Sequence, residues 1–262
     1  MIDSHVHLNS DQFTNIVDET IKSAIAAGVK AMICIGYDAV TNMRAISIAE
    51  KYDSVFCTIG FHPEVAKLVT QADLTSLEAM LKHPKVVGIG ECGLDYYWDK
   101  SAIEEQKFVF KSQIELANKL HLPLIIHMRD SAFDTLEMIK KHKDKSTSGI
   151  MHCYSGSKEM VSDFVNENLY ISLAGPVTFK NAITPKEVAK VIPIERLLIE
   201  TDAPYLAPMP YRGKQNTPAY LPYTLAEIAK IREIDVEKLD QITEANTIRL
   251  FNLTLNNSPE LK

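Results

Sequence analysis

The residues best suited to chemistry here are histidines and carboxylates set at the ends of short apolar runs. The 262-residue chain has eight His. His5 and His7 stand two apart in the opening segment MIDSHVH, and in an extended strand that spacing puts both imidazoles on one face. His62 closes VFCTIGFH, Glu91 lies late in VVGIGECGLD, His127 ends LPLIIH, His152 is late in GIMHCY and Asp202 follows LLIET. Neutral imidazole and carboxylate are ligands for borderline divalent metals, and one carboxylate can bridge two ions. A single His or Asp at a strand end is ordinary polar surface. Repeated over run after run, the pattern points to a metal site. His83, His121 and His142 fall on helix ends or loops and read as surface residues.

The elements that must position these groups are legible as runs starting near Ile2, Ala31, Val55, Val86, Leu122, Gly149, Tyr170 and Leu197. Short and mostly rich in Val, Ile or Leu, they have the look of strands buried on both faces. Amphipathic stretches separate them. Phe13, Ile16, Val17, Thr20 and Ala24 fall at helical spacing, as do Phe108, Phe110, Ile114, Ala117 and Leu120. Gly28 reads as a helix C-cap, and Asp99, Ser101 and Asp130 as N-cap candidates. Two helices, 220–232 and 236–251, close the chain. Strands alternating with helices at roughly 33 residues per unit predict parallel βαβ units. The expected fold is α/β, a closed (β/α)8 TIM barrel forming one domain over residues 1–262, with an open doubly wound sheet as the alternative. In such a barrel the strand ends converge on the face that carries active sites. No GxGxxG or GxxxxGK[ST] segment is present, which argues against a dinucleotide or P-loop site. The stretch from Ala207 to Pro222, with Pro208, Pro210, Pro218 and Pro222, reads as a functional loop.

Composition narrows the possibilities. Hydrophobic residues make up 46% and charged residues 24%, as in ordinary globular domains. Lys plus Arg is 28 against 34 Asp plus Glu, a formal charge of −6, which argues against a broad basic face for duplex DNA. Cys34, Cys57, Cys92 and Cys153 are scattered without a CxxC pair and read as reduced, mostly buried thiols. No run approaches the ~18 apolar residues of a membrane span, and the first residues lack a leader's basic and apolar regions. A cytoplasmic protein is expected, with no membrane association. It is expected to be a monomer, since no heptad pattern is present.

Together, DSHVHL, TIGFHPE, GIGECGLDYYW, PLIIHMRDS, MHCYSGS, ETDAPYLAPMPYRGKQNTPAYL and NTIRLFNL span residues 1 to 253. In these the chain resembles the TatD family of metal-dependent hydrolases, a branch of the amidohydrolase-like barrels. The resemblance implies two divalent metal ions, magnesium, manganese or zinc. It places the first on His5, His7, Glu91 and Asp202 and the second on His127 and His152, with Glu91 bridging. It also implies 3′–5′ exonuclease or deoxyribonuclease activity, with single-stranded DNA ends as the nucleic acid substrate. Related amidohydrolases often bridge with a modified Lys on the fourth strand; Glu91 at that position favours the TatD branch. The chain departs from the family pattern at Met128, where a small polar residue is usual, and at Gln215 and Thr217, which replace an Arg and a Glu.

On that reading a water between two metals is acidified, and Asp202 accepts its proton as general base. His62 contacts the leaving group or a phosphate oxygen. Arg129, Arg212 and Lys214 clamp phosphate, and Tyr96, with Tyr97 and Trp98, stacks on bases. Asp3 shares a strand face with His5 and His7 and orients a ligand. Two divalent ions bring about four positive charges, so the net −6 leaves room for a strand end at the site. The same ligand set also suits an amide, ester or lactone hydrolase for small molecules. A metal-free scaffold on an inactive barrel would require a broken ligand set, and the six expected ligands are all present.

Overall fold

Residues 1–98 and 100–255 are described in the computed structural model. Eight parallel strands follow one another around a barrel in chain order: β1 (Ile2–Val6), β2 (Ala31–Ile35), β3 (Val55–Ile59), β4 (Val86–Asp95), β5 (Leu124–Arg129), β6 (Gly149–Met151), β7 (Leu169–Leu173) and β8 (Leu197–Ile199). Helices α1 (Val17–Ala26), α2 (Ala39–Lys51), α3 (Gln71–Met80), α4 (Ile103–Leu120), α5 (Ala132–His142), α6 (Val161–Asn166) and α7 (Ile183–Val191) each connect one strand to the next. Helices α8 (Leu221–Arg232) and α9 (Val236–Phe251) follow β8. This is the (β/α)8 architecture expected from the alternation of runs. The segment after β8 returns to β1 through two backbone bonds, Asp202 N–H to His5 O at 3.0 Å and His7 N–H to Ala203 O at 2.8 Å.

Strand alternation builds two apolar layers. In β2, Met32 and Cys34 face the helices and pack in the larger core, while Ala31, Ile33 and Ile35 face the barrel axis. The axial cluster adds Ile125, Ile150, Tyr170 and Leu198, and Leu250 and Phe251 at the end of α9 pack onto it. This alternation alone would misdirect the catalytic end of β1. Ile2 packs in the axial cluster, and Val6, of the same parity, packs outward. The pairing of β1 with β2 shifts register between Asp3 and Val6, and past that shift His5 and His7 turn inward. A second shift, between Ile89 and Cys92 on β4, accompanies the inward turn of Glu91. There Gly93 has φ +137, and a Cβ on it would lie 2.0 Å from the carbonyl oxygen of His127. Only a glycine lets β4 lie this close to β5 beside that histidine.

Local expectations met the tertiary structure unevenly. Gly28, at φ +91, follows α1 and donates its N–H to Ile25 O. Phe13 belongs to a 3-10 turn, Asp11–Phe13, and α1 begins later, at Val17. Phe108 is 53% exposed while Phe110, Ile114 and Ala117 are buried, because residues two apart cannot share a helix face. Ser101 accepts a hydrogen bond from Lys67 Nζ, and α4 starts from Ala102 without a side-chain cap. Asp99 lies outside the described residues. Asp130 has φ +52 and precedes the N-cap position of α5, which Ser131 occupies. Side-chain capping is instead strong at Asp38, where a capping box with Thr41 starts α2, and at Thr70 with Asp73 at the start of α3. The four cysteines are free thiols. Among the described residues no helix is long and apolar enough to cross a membrane.

Candidate metal centre

Six strands and the loops after them deliver the polar groups to one end of the barrel. Glu91 lies within β4 and His127 within β5, while His7, His62, His152 and Asp202 sit just beyond β1, β3, β6 and β8. The turn carrying Asp202 places it at φ +56, a conformation Asp tolerates better than most residues. His5 is fully buried, and His7, Glu91, His152 and Asp202 are each less than a tenth exposed.

The side chains form two groups about one carboxylate. Glu91 Oε2 faces His5 Nε2 at 3.5 Å and His7 Nε2 at 3.7 Å. Its other oxygen, Oε1, faces His152 Nε2 at 2.9 Å, His127 Nδ1 at 3.1 Å and His62 Nε2 at 3.5 Å. Asp202 Oδ1 completes the first group, 3.4 Å from His7 Nε2 and 3.6 Å from His5 Nε2. Within each group two imidazole nitrogens meet at 3.3 Å, Nε2 of His5 against Nε2 of His7 and Nδ1 of His127 against Nε2 of His152. Several of these rings are held from behind. His7 Nδ1 lies 3.2 Å from Ile35 O, His127 Nε2 2.8 Å from Asp95 Oδ2, and His152 Nδ1 3.4 Å from Glu200 Oε1. A nitrogen that donates from one side of the ring presents a lone pair from the other. The donor set therefore fits divalent cations: lone pairs converge in two places with an acidic oxygen at each.

The electrostatics follow from crowding in a dry site. Burial opposes the charge on Glu91, but His152, His62 and His127 outweigh it and hold the carboxyl well below its usual range. Burial likewise opposes protonation of His152, yet Glu91 and Glu200 raise it well above the ordinary histidine value. His7 and His127 are raised by Asp202, Asp95 and Glu91 against the same burial. His5 is lowered, by burial first and by His152 second. Burial, then His127, pushes His62 down to about 3. Its Nδ1 accepts the Glu64 N–H at 3.2 Å, so the neutral ring carries its proton on Nε2, the nitrogen facing Glu91.

Arg129, the last residue of β5, has its guanidinium carbon 3.7 Å from the Tyr97 ring centre and 5.4 Å from that of Trp98. Tyr96 is half-buried and donates its hydroxyl to Asp134 at 2.8 Å, while Tyr97 and Trp98 are exposed. Arg212 lies over Phe179 and Lys214 over Tyr211. Asp3 touches no imidazole. Its carboxyl, which burial pushes up to about 7, accepts from the N–H and hydroxyl of Thr201 and from His5 N–H.

Sequence reasoning missed Asp95 and Glu200, the carboxylates behind His127 and His152. Glu200 also accepts from Cys153 N–H at 2.6 Å and from the Ser172 hydroxyl at 2.5 Å. A signal existed for Asp95, which has the parity of Glu91 and Gly93 along β4. Tyr37 and Tyr205 were also missed; their rings meet His7 edge-on at 5.5 and 5.9 Å.

A (β/α)8 barrel with imidazoles and carboxylates gathered at its strand ends defines the class of metal-dependent hydrolases. Residues 2–252 match the family described as TatD related DNase, and the chain belongs to that family. It is 45% identical over 253 residues to YabD of Bacillus subtilis, named an uncharacterized metal-dependent hydrolase, covering 97% of this chain and 99% of that one. It is 36% identical over 258 residues to TatD of Salmonella typhimurium, named a 3′-5′ ssDNA/RNA exonuclease, covering 97% and 99%. Among solved structures, the TatD homologue YJJV of Escherichia coli superposes with a TM-score of 0.92 at 28% identity, covering 97% of this chain and 98% of that one.

Proposed function

We propose that this metal-dependent hydrolase is a deoxyribonuclease of the TatD type, a 3′–5′ exonuclease acting on the phosphodiester bonds of unpaired strands. The observation that carries this reading is the division of Glu91, one oxygen toward His5 and His7 and the other toward His127, His152 and His62. In this assignment His5, His7, Asp202 and Glu91 would hold one divalent ion, and His127, His152 and Glu91 would hold a second. Such ions supply Lewis acidity and neutralise charge on phosphoryl and leaving oxygens.

The chain's own residues supply the rest. Asp202 presents its carboxylate at the His5–His7 side, where it accepts the proton of the attacking water. His62, neutral and with its proton on Nε2, donates to an anionic oxygen in the site. Arg129 brings a cation to the mouth beside His127, suited to a phosphate. Arg212 and Lys214, further out on the proline-rich loop, suit more distant phosphates. The relative named an ssDNA/RNA exonuclease supports the same substrate class.

Purified protein supplied with Mg²⁺ or Mn²⁺ is expected to shorten 5′-labelled single-stranded DNA stepwise from its 3′ end, and His127→Ala is expected to lose that activity. Intact DNA and RNA with Mg²⁺, Mn²⁺ and Zn²⁺ alike, alongside turnover of a carboxylic ester or lactone, would replace this reading with a small-molecule hydrolase.

A further inference from the structure

The turn after β4 exposes aromatic surface beside the metal centre. Tyr97 is 53% and Trp98 63% exposed. Their rings stand perpendicular, at 87° and 4.8 Å between centres. This is an ordered surface, because Asp95 Oδ1 accepts the N–H groups of both Tyr97 (2.9 Å) and Trp98 (3.1 Å). Tyr96 N–H bonds Arg129 O at 2.9 Å and fastens the turn to the end of β5. The other oxygen of Asp95 is 2.8 Å from His127 Nε2. One carboxylate therefore spans from a proposed metal ligand to the backbone beneath both rings.

Arg129 supplies the charge. Its guanidinium lies close enough against Tyr97 to place its carbon 3.7 Å from the ring centre, it also lies over Trp98, and the Glu64 carboxylate is near enough to feel its charge. A guanidinium stacked on an aromatic ring keeps its N–H edge available for phosphate oxygens. Flat apolar surface next to an available cation, tied to a phosphodiester-cleaving centre, matches a nucleotide: a π-face for the rings and a phosphate for the arginine.

We propose that Trp98, Tyr97 and Arg129 form a stacking subsite for a nucleobase of the bound strand, with Arg129 on the neighbouring phosphate. The proposal rests on the phosphodiesterase reading above and gives its unpaired strand a physical ground, since a base within a duplex has no free face to offer. Sugar and phosphate alone would leave the rings uncovered.

Trp98 is the only tryptophan of the chain, so its emission reports on the site. In the intact protein held in EDTA to prevent turnover, oligothymidylate should quench that emission saturably, and an abasic strand of equal length should not. With metal present, the wild-type preference for base-bearing over abasic strands, taken as the ratio of kcat/KM values, should fall between about fivefold and a hundredfold in Trp98→Ala. Trp98→Phe should retain most of it. Because Trp98 is exposed, its replacement does not threaten the core. Equal quenching by both strands, or an unchanged ratio in Trp98→Ala while DNA is still cleaved, overturns the subsite and leaves the nuclease reading standing. If no strand is cleaved, the nuclease reading fails, and base-dependent quenching alone then decides whether the platform binds bases.

Discussion

Two carboxylates with different tasks organise the site. Glu91 faces both imidazole groups, and Asp95 stands behind one of them. Glu91→Gln removes the charge shared between the groups while keeping the shape. It is expected to abolish hydrolysis and to prevent stabilisation by added metal, read by activity and thermal shift together. A variant that keeps full metal-dependent stabilisation would remove Glu91 from the bridging role. Asp95→Asn leaves the ligands in place but loosens the ring orientation of His127, and the expected cost is about 10–100-fold in metal affinity. That is measured by titrating metal into stripped protein, with activity recovering at high metal. That these side chains would gather at one end of the barrel was legible in the sequence because His and carboxylate recur at one run end after another, which chance placement rarely produces. Their supports were not, since Asp95 and Glu200 are single acidic residues whose partners lie on another strand and become neighbours only on folding. Tyr96 looked equivalent to Tyr97 and Trp98 by composition; its hydroxyl bond to Asp134 separates it from them.

At the scale of elements, the strands are regular where they carry the core and irregular where they carry the site. The eight runs were legible from apolar content alone, and both closing helices from periodicity, with the first shifted by one residue at its start. The register shifts in β1 and β4 were not, since alternation read from Ile2 points His5 the wrong way. Gly93→Ala tests how tightly one such segment is held. A Cβ at that position collides with the His127 carbonyl, so chemical denaturation is expected to show a loss of at least ~2 kcal/mol. Metal affinity should fall with it. Far from the site, Lys143 follows α5 and donates its amine to Asp144 O at 3.0 Å and Thr147 O at 2.8 Å. Burial pushes its pKa down to about 8, so between about pH 8 and pH 10.5 the unfolded chain binds the proton more tightly. Stability from this group therefore rises with pH across that window. The difference in urea midpoint between Lys143→Met and wild type should shift in favour of wild type from pH 8 to pH 10; a constant difference contradicts this.

For the whole molecule, the formal charge of −6 coexists with a centre built to take cations, and a metal that binds only the folded barrel must stabilise it. At a hundredfold excess over its dissociation constant the gain is ~2.7 kcal/mol per site, or roughly 5–10 °C in a chain of this size. Scanning calorimetry with Mn²⁺ against EDTA measures it, and coincident transitions would argue against any metal in the barrel. The barrel itself was legible because length, run count and spacing agree on one architecture. The proline-rich loop was legible as irregular, but the rings its cations lie over, Phe179 for Arg212 and Tyr211 for Lys214, were not. The seam between β1 and the segment after β8 bears on biosynthesis. The backbone bonds that shut the barrel, His7 to Ala203 and Asp202 to His5, join the very residues that face the cation site from the first strand and from beyond the last. A nascent polypeptide still on the ribosome holds His5, His7 and Glu91 long before it holds Asp202, the other carboxylate the two histidines face. The histidine–carboxylate cluster is thus incomplete until the segment beyond the eighth strand has been made.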